Sequence, residues 1–423
     1  MHIGVLCPFG TGHINPMATL CRALAARGHR VTFLVPADGE EKVRRFGLEH
    51  HPVARQEFPP GAMISAYEHL GTLSGRAARR YTAGMYLRVI SGVLRDAPAA
   101  VASLGIEGLI IDQTMLQGRS IAEKAGIPFV TLCAALLFNE EADVPPPFTG
   151  WRYQPSLPAR WRNRLGYAVI RKMLRPIVRE VARHRDAWGL PELEFQEMSA
   201  SPLAQLCQAP REFDYPRREL PRTMHYVGPL HDLCVRPDVP FDFSRLDGRP
   251  LVYASMGSLQ NKITHAFETI AKATAGLDAQ VVLSFGSADA HLPRDLPGSP
   301  ITVPYAPQLD LIERASVVIT HAGMNTVMES LACGVPMVAI PVTNDQPGVA
   351  ARISWTRTGE VLPFGKLCED RLRPLVRRVL EDGTYRENAR RMQRAIQAGG
   401  GVSRAADIAE QALTENRVVL PEV

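Results

Sequence analysis

Short runs of aliphatic and β-branched residues alternate along the chain with helix-spaced stretches, the pattern of a parallel α/β protein. Residues 3–7 (IGVLC) predict a first buried strand, and a turn rich in glycine and proline, 8–16, follows it. Met17, Leu20, Leu24 and Ala25 recur at helical spacing from Pro16 to about Arg27. Gly28 stops that helix and residues 31–35 predict the second strand. Two more strands are expected at 108–111 (GLII), closed by Asp112, and at 129–137 (FVTLCAALL). Residues 39–47 read as a charged helix, 62–83 as mixed and poorly periodic, and 145–158 as irregular. A basic helical region spans 161–188 and is interrupted at Pro176, with Leu165, Ala168, Val169, Met173 and Leu174 near helical spacing before it and Ile177, Val178 and Val181 after it. Its arginines read either as the solvated face of a packed helix or as an edge resting on an anionic membrane surface.

A proline- and aspartate-rich linker, 231–250, precedes a second α/β unit. Its strands are expected at 251–254, 281–285, 301–303, 316–320 (SVVIT) and 337–341 (MVAIP). Between the last two lies His321-Ala322-Gly323-Met324-Asn325-Thr326, followed by Met328, Leu331 and Ala332 at helical spacing until Gly334 and Pro336. HAGMNT is therefore a strand-to-helix turn, with Asn325 or Thr326 placed to cap the helix. The free N–H groups of a helix start favour an anion, typically phosphate. The next strand delivers Thr343-Asn344-Asp345-Gln346 to the same sheet edge, where open α/β sheets bind ligands. Helices at 347–351, 371–381, 385–398 and 404–414 complete the pattern.

Length sharpens this picture. The chain has 423 residues, enough for two domains of about 200 each. Its 48 basic and 43 acidic side chains leave a net charge of +5 without dense basic stripes, so no nucleic-acid partner is expected. Seven cysteines form no CxxC pair and read as reduced core thiols. No apolar run approaches the ~18 residues of a membrane span, and the early first strand leaves no room for a signal peptide. A cytoplasmic protein is expected, with peripheral membrane contact as an option, as a monomer or weak dimer.

Candidate chemistry gathers at strand ends. His13 follows the first strand and reads as a loop histidine or as a general base. Asp112, ending another strand, is positioned either to orient such a base or to cap a helix. Gly10-x-Gly12 invites a dinucleotide reading, but the third glycine of GxGxxG is missing. The Gly257-Ser258 turn can offer N–H and hydroxyl groups to a phosphate. Phe9, Met17, Met63, Met85, Leu136 and Phe138 could line an apolar pocket, but each reads first as core.

Tyr305-x-Pro307-Gln308, His321-x-Gly323-x-Asn325-Thr326-x-x-Glu329, Gly334-Val335-Pro336 and Asp345-Gln346 occur in that order. Together they resemble the nucleotide-sugar signature of family 1 UDP-glycosyltransferases. Within that family the wording VPMVAIPVTNDQPGVAARI is nearest the bacterial carotenoid (zeaxanthin) glucosyltransferases, and macrolide-type enzymes are also similar. The resemblance implies a GT-B fold, two Rossmann-like parallel-sheet domains facing a cleft. An acceptor domain would span 1–229, a linker 230–250 and a donor domain 251–403, with 404–423 crossing back to the first domain. It implies His13 as catalytic base beside Gly12, with Asp112 its partner. Tyr305 would stack on uracil, with groups near Gln308 at its edge; most members carry tryptophan there, and the smaller ring loosens the choice between uridine and thymidine donors. Gly257, Ser258, His321, Gly323, Asn325 and Thr326 would meet the diphosphate, Glu329 the ribose, and Asp345 and Gln346 the sugar. No Asp-x-Asp stands in the crevice, so no metal is expected. The implied reaction is inverting transfer of glucose from UDP-glucose to a hydroxyl of an apolar acceptor, whether carotenoid, terpenoid, flavonoid or polyketide. A dTDP-sugar transferase, a UDP-sugar epimerase or hydrolase, a non-catalytic GT-B partner protein and a Rossmann oxidoreductase are the alternatives.

Overall fold

The computed structural model describes residues 1–73, 75–231, 239–257, 264–286, 292–293 and 295–421. The first half contains β1 (His2–Leu6), α1 (Thr11–Ala26), β2 (Arg30–Val35), α2 (Glu40–Arg44), β3 (Glu49–Pro52), α3 (Ala62–Thr72), α4 (Gly75–Leu104), β4 (Gly108–Asp112), α5 (Gly118–Ala125), β5 (Phe129–Cys133), α6 (Leu157–Ala187), β6 (Gln205–Cys207) and β7 (Met224–Tyr226). The second contains β8 (Leu251–Ser255), α7 (Thr264–Thr274), β9 (Gln280–Ser284), β10 (Ile301–Val303), α8 (Gln308–Arg314), β11 (Ala315–Thr320), α9 (Met324–Ala332), β12 (Met337–Ala339), α10 (Gln346–Trp355), β13 (Gly359–Val361), α11 (Glu369–Glu381), α12 (Gly383–Ala398) and α13 (Gly401–Thr414).

The strands form two sheets, ordered β3-β2-β1-β4-β5-β6-β7 and β10-β9-β8-β11-β12-β13. Their pairings are parallel throughout the described residues, so each sheet aligns its strand carboxyl ends along one edge. The strand order reverses between β1 and β4 in one sheet and between β8 and β11 in the other. Each reversal splays the flanking loops apart and opens a crevice. The buried strands read as continuous aliphatic runs because helices cover both faces. The last helix, α13, packs Ala405, Ile408, Ala409 and Ala412 into the core around Ile3, Val5 and Leu20 of the first sheet's domain.

Four sequence expectations give way to tertiary context. The first helix starts at Thr11 rather than Pro16, because Gly10 already accepts its first hydrogen bonds from His13 and Ile14. Residues 62–83, poorly periodic in sequence, hold α3 and the start of α4. The backbone N–H groups of Gly61, Met63 and Ile64 donate to the Asp38 carboxylate, a cap supplied from far away in sequence. The strand expected over 129–137 ends at Cys133, since Gln208 and Gln113 side chains take up the carbonyls of Ala134, Ala135 and Leu136. Finally, α6 runs unbroken through Pro176. The carbonyl that this proline strips of its donor belongs to exposed Lys172, where water can replace the lost bond.

A buried charge cluster ties the halves together. Arg352 of α10 donates to Asp214 Oδ1 through Nε (3.0 Å) and Nη2 (2.7 Å). Arg217 Nε donates to Asp214 Oδ2 at 2.6 Å and its Nη1 lies 3.8 Å from Glu141. Two guanidiniums and two carboxylates make the cluster neutral. Burial alone would raise the Asp214 carboxyl, but Arg217 and Arg352 hold it well below the usual carboxylate range. Its folded-state pKa is depressed, so its stabilisation is present above about pH 4 and fades as pH falls toward the folded value. Asp214→Asn leaves two buried cations under-compensated and should cost about 3–5 kcal/mol. Urea unfolding at pH 7 checks this, and the gap to wild type should narrow below pH 4; an unchanged midpoint would remove the cluster's structural role.

Candidate functional site

The two crevices face each other across one cavity of about 1750 Å³. On the first sheet, β1 leads into α1 and β4 ends at Asp112, with Leu6 and Ile111 in register. The switch point thereby brings His13 to Asp112 across 99 residues of sequence: His13 Nδ1 lies 2.8 Å from Asp112 Oδ2. The carboxylate can only accept, so Nδ1 carries the proton and Nε2 is left as the basic nitrogen. Asp112 is fully buried, and its other oxygen accepts from the Thr114 N–H (2.8 Å) and hydroxyl (2.6 Å). Burial pulls the His13 pKa down, but the Asp112 charge and hydrogen bond, with Asp345 beyond, more than offset it and leave it raised. This is the electrostatic setting of an oriented general base.

On the second sheet, β8 and β11 flank the reversal, with Ser255 and Thr320 in register. Gly257 follows one and His321 the other. The ring of His321 is wedged between two glycines: a Cβ on Gly257 would stand 2.5 Å from its Cε1, and one on Gly323 2.5 Å from its Nε2. Burial drives this imidazole down to about 4, the backbone of Ser255 offsetting only part of that. It is therefore neutral at pH 7 rather than a cation. Gly323 is the N-cap of α9, whose first turn holds no acidic residue. Its opening N–H groups face the cavity that Gly323, Met324, Asn325 and Thr326 line.

Neither Asn325 nor Thr326 caps that helix, contrary to expectation, since both lie inside its first turn. Asn325 is used elsewhere. Pro16 has no N–H, so the carbonyl of Gly12, four residues earlier in α1, lacks its helical partner. Asn325 Nδ2 donates to that carbonyl at 3.2 Å, and Gln208 Nε2 donates to Asn325 Oδ1 at 3.1 Å. The His13 turn and the start of α9 are thus joined directly.

The remaining predicted residues also reach the cavity. Tyr305 lines it and is 45% exposed, a free aromatic face. Gln308 is tied back: its Nε2 donates to Glu329 Oε2 at 2.6 Å, and its Oε1 accepts from the Tyr253 hydroxyl at 3.2 Å. Asp345 sits at the start of α10, its carboxyl raised by burial against the opposing pull of His13. Gln346 Oε1 accepts from the N–H groups of Val342 and Thr343, both 2.9 Å, which shapes the loop it leaves. Ser258 lies outside the described residues. Among the six apolar candidates, Met85 and Phe138 line the cavity, while Phe9, Met17, Met63 and Leu136 belong to cores.

Sequence reading missed much of the first-domain wall. Tyr67, Tyr86, Leu116, Phe148, Trp151 and Phe195 line the cavity from helices and loops whose composition resembles ordinary core. Thr114, two residues past Asp112, was the one legible omission, since a hydroxyl at that spacing fits a turn closing on an aspartate.

Two nucleotide-binding-type domains enclosing an oriented histidine and a helix N-terminus define a two-substrate, GT-B glycosyltransferase architecture. A family model described as "UDP-glucoronosyl and UDP-glucosyl transferase" matches residues 170–397, just over half of the chain. The chain is 30% identical over 422 residues to a zeaxanthin glucosyltransferase of Pantoea ananas, covering 99% of this chain and 97% of that protein. A zeaxanthin glucosyltransferase of Pseudescherichia vulneris is 29% identical over 435 aligned positions, covering 99% of each. The crystal structure of the glycotransferase of kitacinnamycin matches with a TM-score of 0.74 at 25% identity, over 97% of this chain and 99% of that one. The chain belongs to this UDP-glycosyltransferase family. It is an enzyme that takes a nucleotide-sugar donor and a small-molecule acceptor.

The raised His13 pKa has a direct readout. Its Cε1–H NMR resonance should titrate above the ordinary histidine value of about 6.5, and Asp112→Asn should lower the midpoint by at least about 1 pH unit. A general base acts in its neutral form, so a kcat/KM that rises as pH climbs through that midpoint would report that role. A midpoint that Asp112→Asn leaves in place would show that the carboxylate does not set it.

Proposed function

We propose that the enzyme transfers glucose from UDP-glucose to a hydroxyl of a hydroxylated carotenoid or similarly apolar alcohol, with inversion and without a metal. The observation that carries this reading is one cavity holding both the His13–Asp112 pair and the α9 N-terminus, with an apolar chamber beside them. His13 Nε2 takes the acceptor proton as the hydroxyl oxygen attacks the anomeric carbon. The bond from that carbon to the diphosphate breaks on the opposite face, giving a β-glycoside from an α-linked donor. The α9 N–H groups, with the neutral His321 ring beside them, stabilise the departing diphosphate, so fixed dipoles do the work a cation would otherwise do. Tyr305 stacks on the base, Glu329 holds the ribose through the position Gln308 gives it, and Asp345 and Gln346 hold the hexose.

The carotenoid reading draws support from the two relatives named zeaxanthin glucosyltransferase and from cavity size. At about 1750 Å³ the cavity exceeds the ~300–1,000 Å³ of common ligand pockets. A nucleotide sugar and a bulky acceptor can share it. We place the enzyme in the cytoplasm, as a monomer or weak dimer.

Purified enzyme would be incubated with UDP-glucose or dTDP-glucose and with zeaxanthin, a flavonol, a macrolide aglycone or no acceptor, with and without EDTA. Mass spectrometry should show hexose added to zeaxanthin from UDP-glucose, unchanged by EDTA. His13→Ala should lose at least about 100-fold in rate, the size of a general-base contribution. A preference for dTDP-glucose, loss of activity in EDTA, or UDP release independent of acceptor would each overturn the corresponding part. Full activity in His13→Ala would remove the base assignment.

A further inference from the structure

Helix α6 leaves an apolar stripe uncovered. Leu157, Trp161, Leu165, Val169 and Met173 fall at every fourth position and are 71, 70, 68, 51 and 47% exposed. At 3.6 residues per turn, such a series does not run straight but advances about 40° around the helix at each step. Four steps carry it from open solvent to the cavity wall. Leu157 and Trp161 stand outside the cavity, whereas Leu165, Val169 and Met173 line it. The stripe is a continuous apolar ramp from the surface into the chamber.

The helix segment that carries this ramp has charge of one sign. Residues 157–179 contain seven basic side chains and no acidic one. Arg160 and Arg171 are paired with Asp143 and Glu140. Among the described residues, no ion pair engages Arg164, Lys172, Arg175 or Arg179, and all four are exposed. Arg164 lies over the Trp161 ring, 5.7 Å from its centroid. Exposed apolar side chains rimmed by uncompensated cations match a surface that is apolar below and anionic above. A second copy of the chain, itself of net charge +5, offers no such general complement.

We infer that the exposed face of α6 docks on an anionic phospholipid bilayer, and that the ramp draws the acceptor from the lipid into the chamber. Leu157 and Trp161 enter the acyl–headgroup boundary while Lys172, Arg175 and Arg179 meet lipid phosphates. No helix among the described residues is long and apolar enough to cross a membrane, so the contact is peripheral. The docking stands on the surface alone; the delivery of acceptor rests on the apolar-acceptor reading above.

The test separates the two. Enzyme without substrates would be cosedimented with unilamellar vesicles of phosphatidylcholine and phosphatidylglycerol in equal parts, or of phosphatidylcholine alone. Wild type should bind the anionic vesicles at least about tenfold more tightly, and both Leu157→Glu/Trp161→Glu and Lys172→Glu/Arg175→Glu should lose at least about tenfold on them. None of these four side chains lines the cavity, so circular dichroism and UDP binding should be unchanged. Absence of wild-type binding, binding undiminished in both variants, or a dimer in gel filtration that Leu157→Glu/Trp161→Glu dissolves would overturn the docking. Zeaxanthin embedded in the anionic vesicles should then be glucosylated by wild type at least about tenfold faster than by the variants. Vesicle binding with zeaxanthin left untouched would overturn the acceptor reading while supporting the docking.

Discussion

The site depends on two independent sheets being held with their switch points face to face, and the buried Asp214–Arg352 pair is a charged tie between them. Its geometry explains the precision. Arg352 sits within α10, whose first residues follow Asp345, so anchoring the guanidinium sets the height of the 343–346 loop over the first domain. Gly348, one turn earlier, approaches the carbonyl of Pro147 so closely that a Cβ would stand 2.0 Å from it. Charge pairing and steric contact act at the same helix. Burying four charged groups is tolerable only because they cancel and are mutually hydrogen-bonded.

A second consequence follows from the electrostatics of the cleft. Its two histidines are both largely withdrawn from water, yet burial wins at His321 and loses at His13. The difference is Asp112, with Asp345 in support. One imidazole is oriented and charged more readily by a carboxylate, and the other is kept neutral by burial. The Asn325 bridge to the Gly12 carbonyl keeps these two environments in register. It depends on Pro16, which looks like a helix start in sequence but serves to leave a carbonyl unspent four residues before it.

The fold was legible where local pattern and tertiary role agree. The aliphatic runs at β1, β4, β8 and β11 are buried on both faces, so hydrophobicity alone marks them. The three-residue strands β6 and β7 carry no readable period. The Asp38 cap of α3 and the Asp214–Arg352 pair join residues 25 and 138 positions apart, and nothing in the local sequence announces either. Pro176 misled in the opposite direction, because an exposed proline interrupts a hydrogen bond without interrupting a helix.

The two halves of the site differ in how strongly they constrain residue identity. The second-domain wall is made of backbone: helix-start N–H groups and an imidazole packed between two glycines that cannot accept a Cβ. Such contacts permit few substitutions, so a spaced motif survives and can be read. The first-domain chamber is made of apolar side chains on α3, α4 and α6, where volume and shape matter more than identity. Leucine, methionine and phenylalanine exchange there at modest cost, so no signature accumulates. The second-domain wall is therefore written in the sequence as a motif, whereas the first-domain chamber is written as the shape of a helical wall that only the folded chain displays.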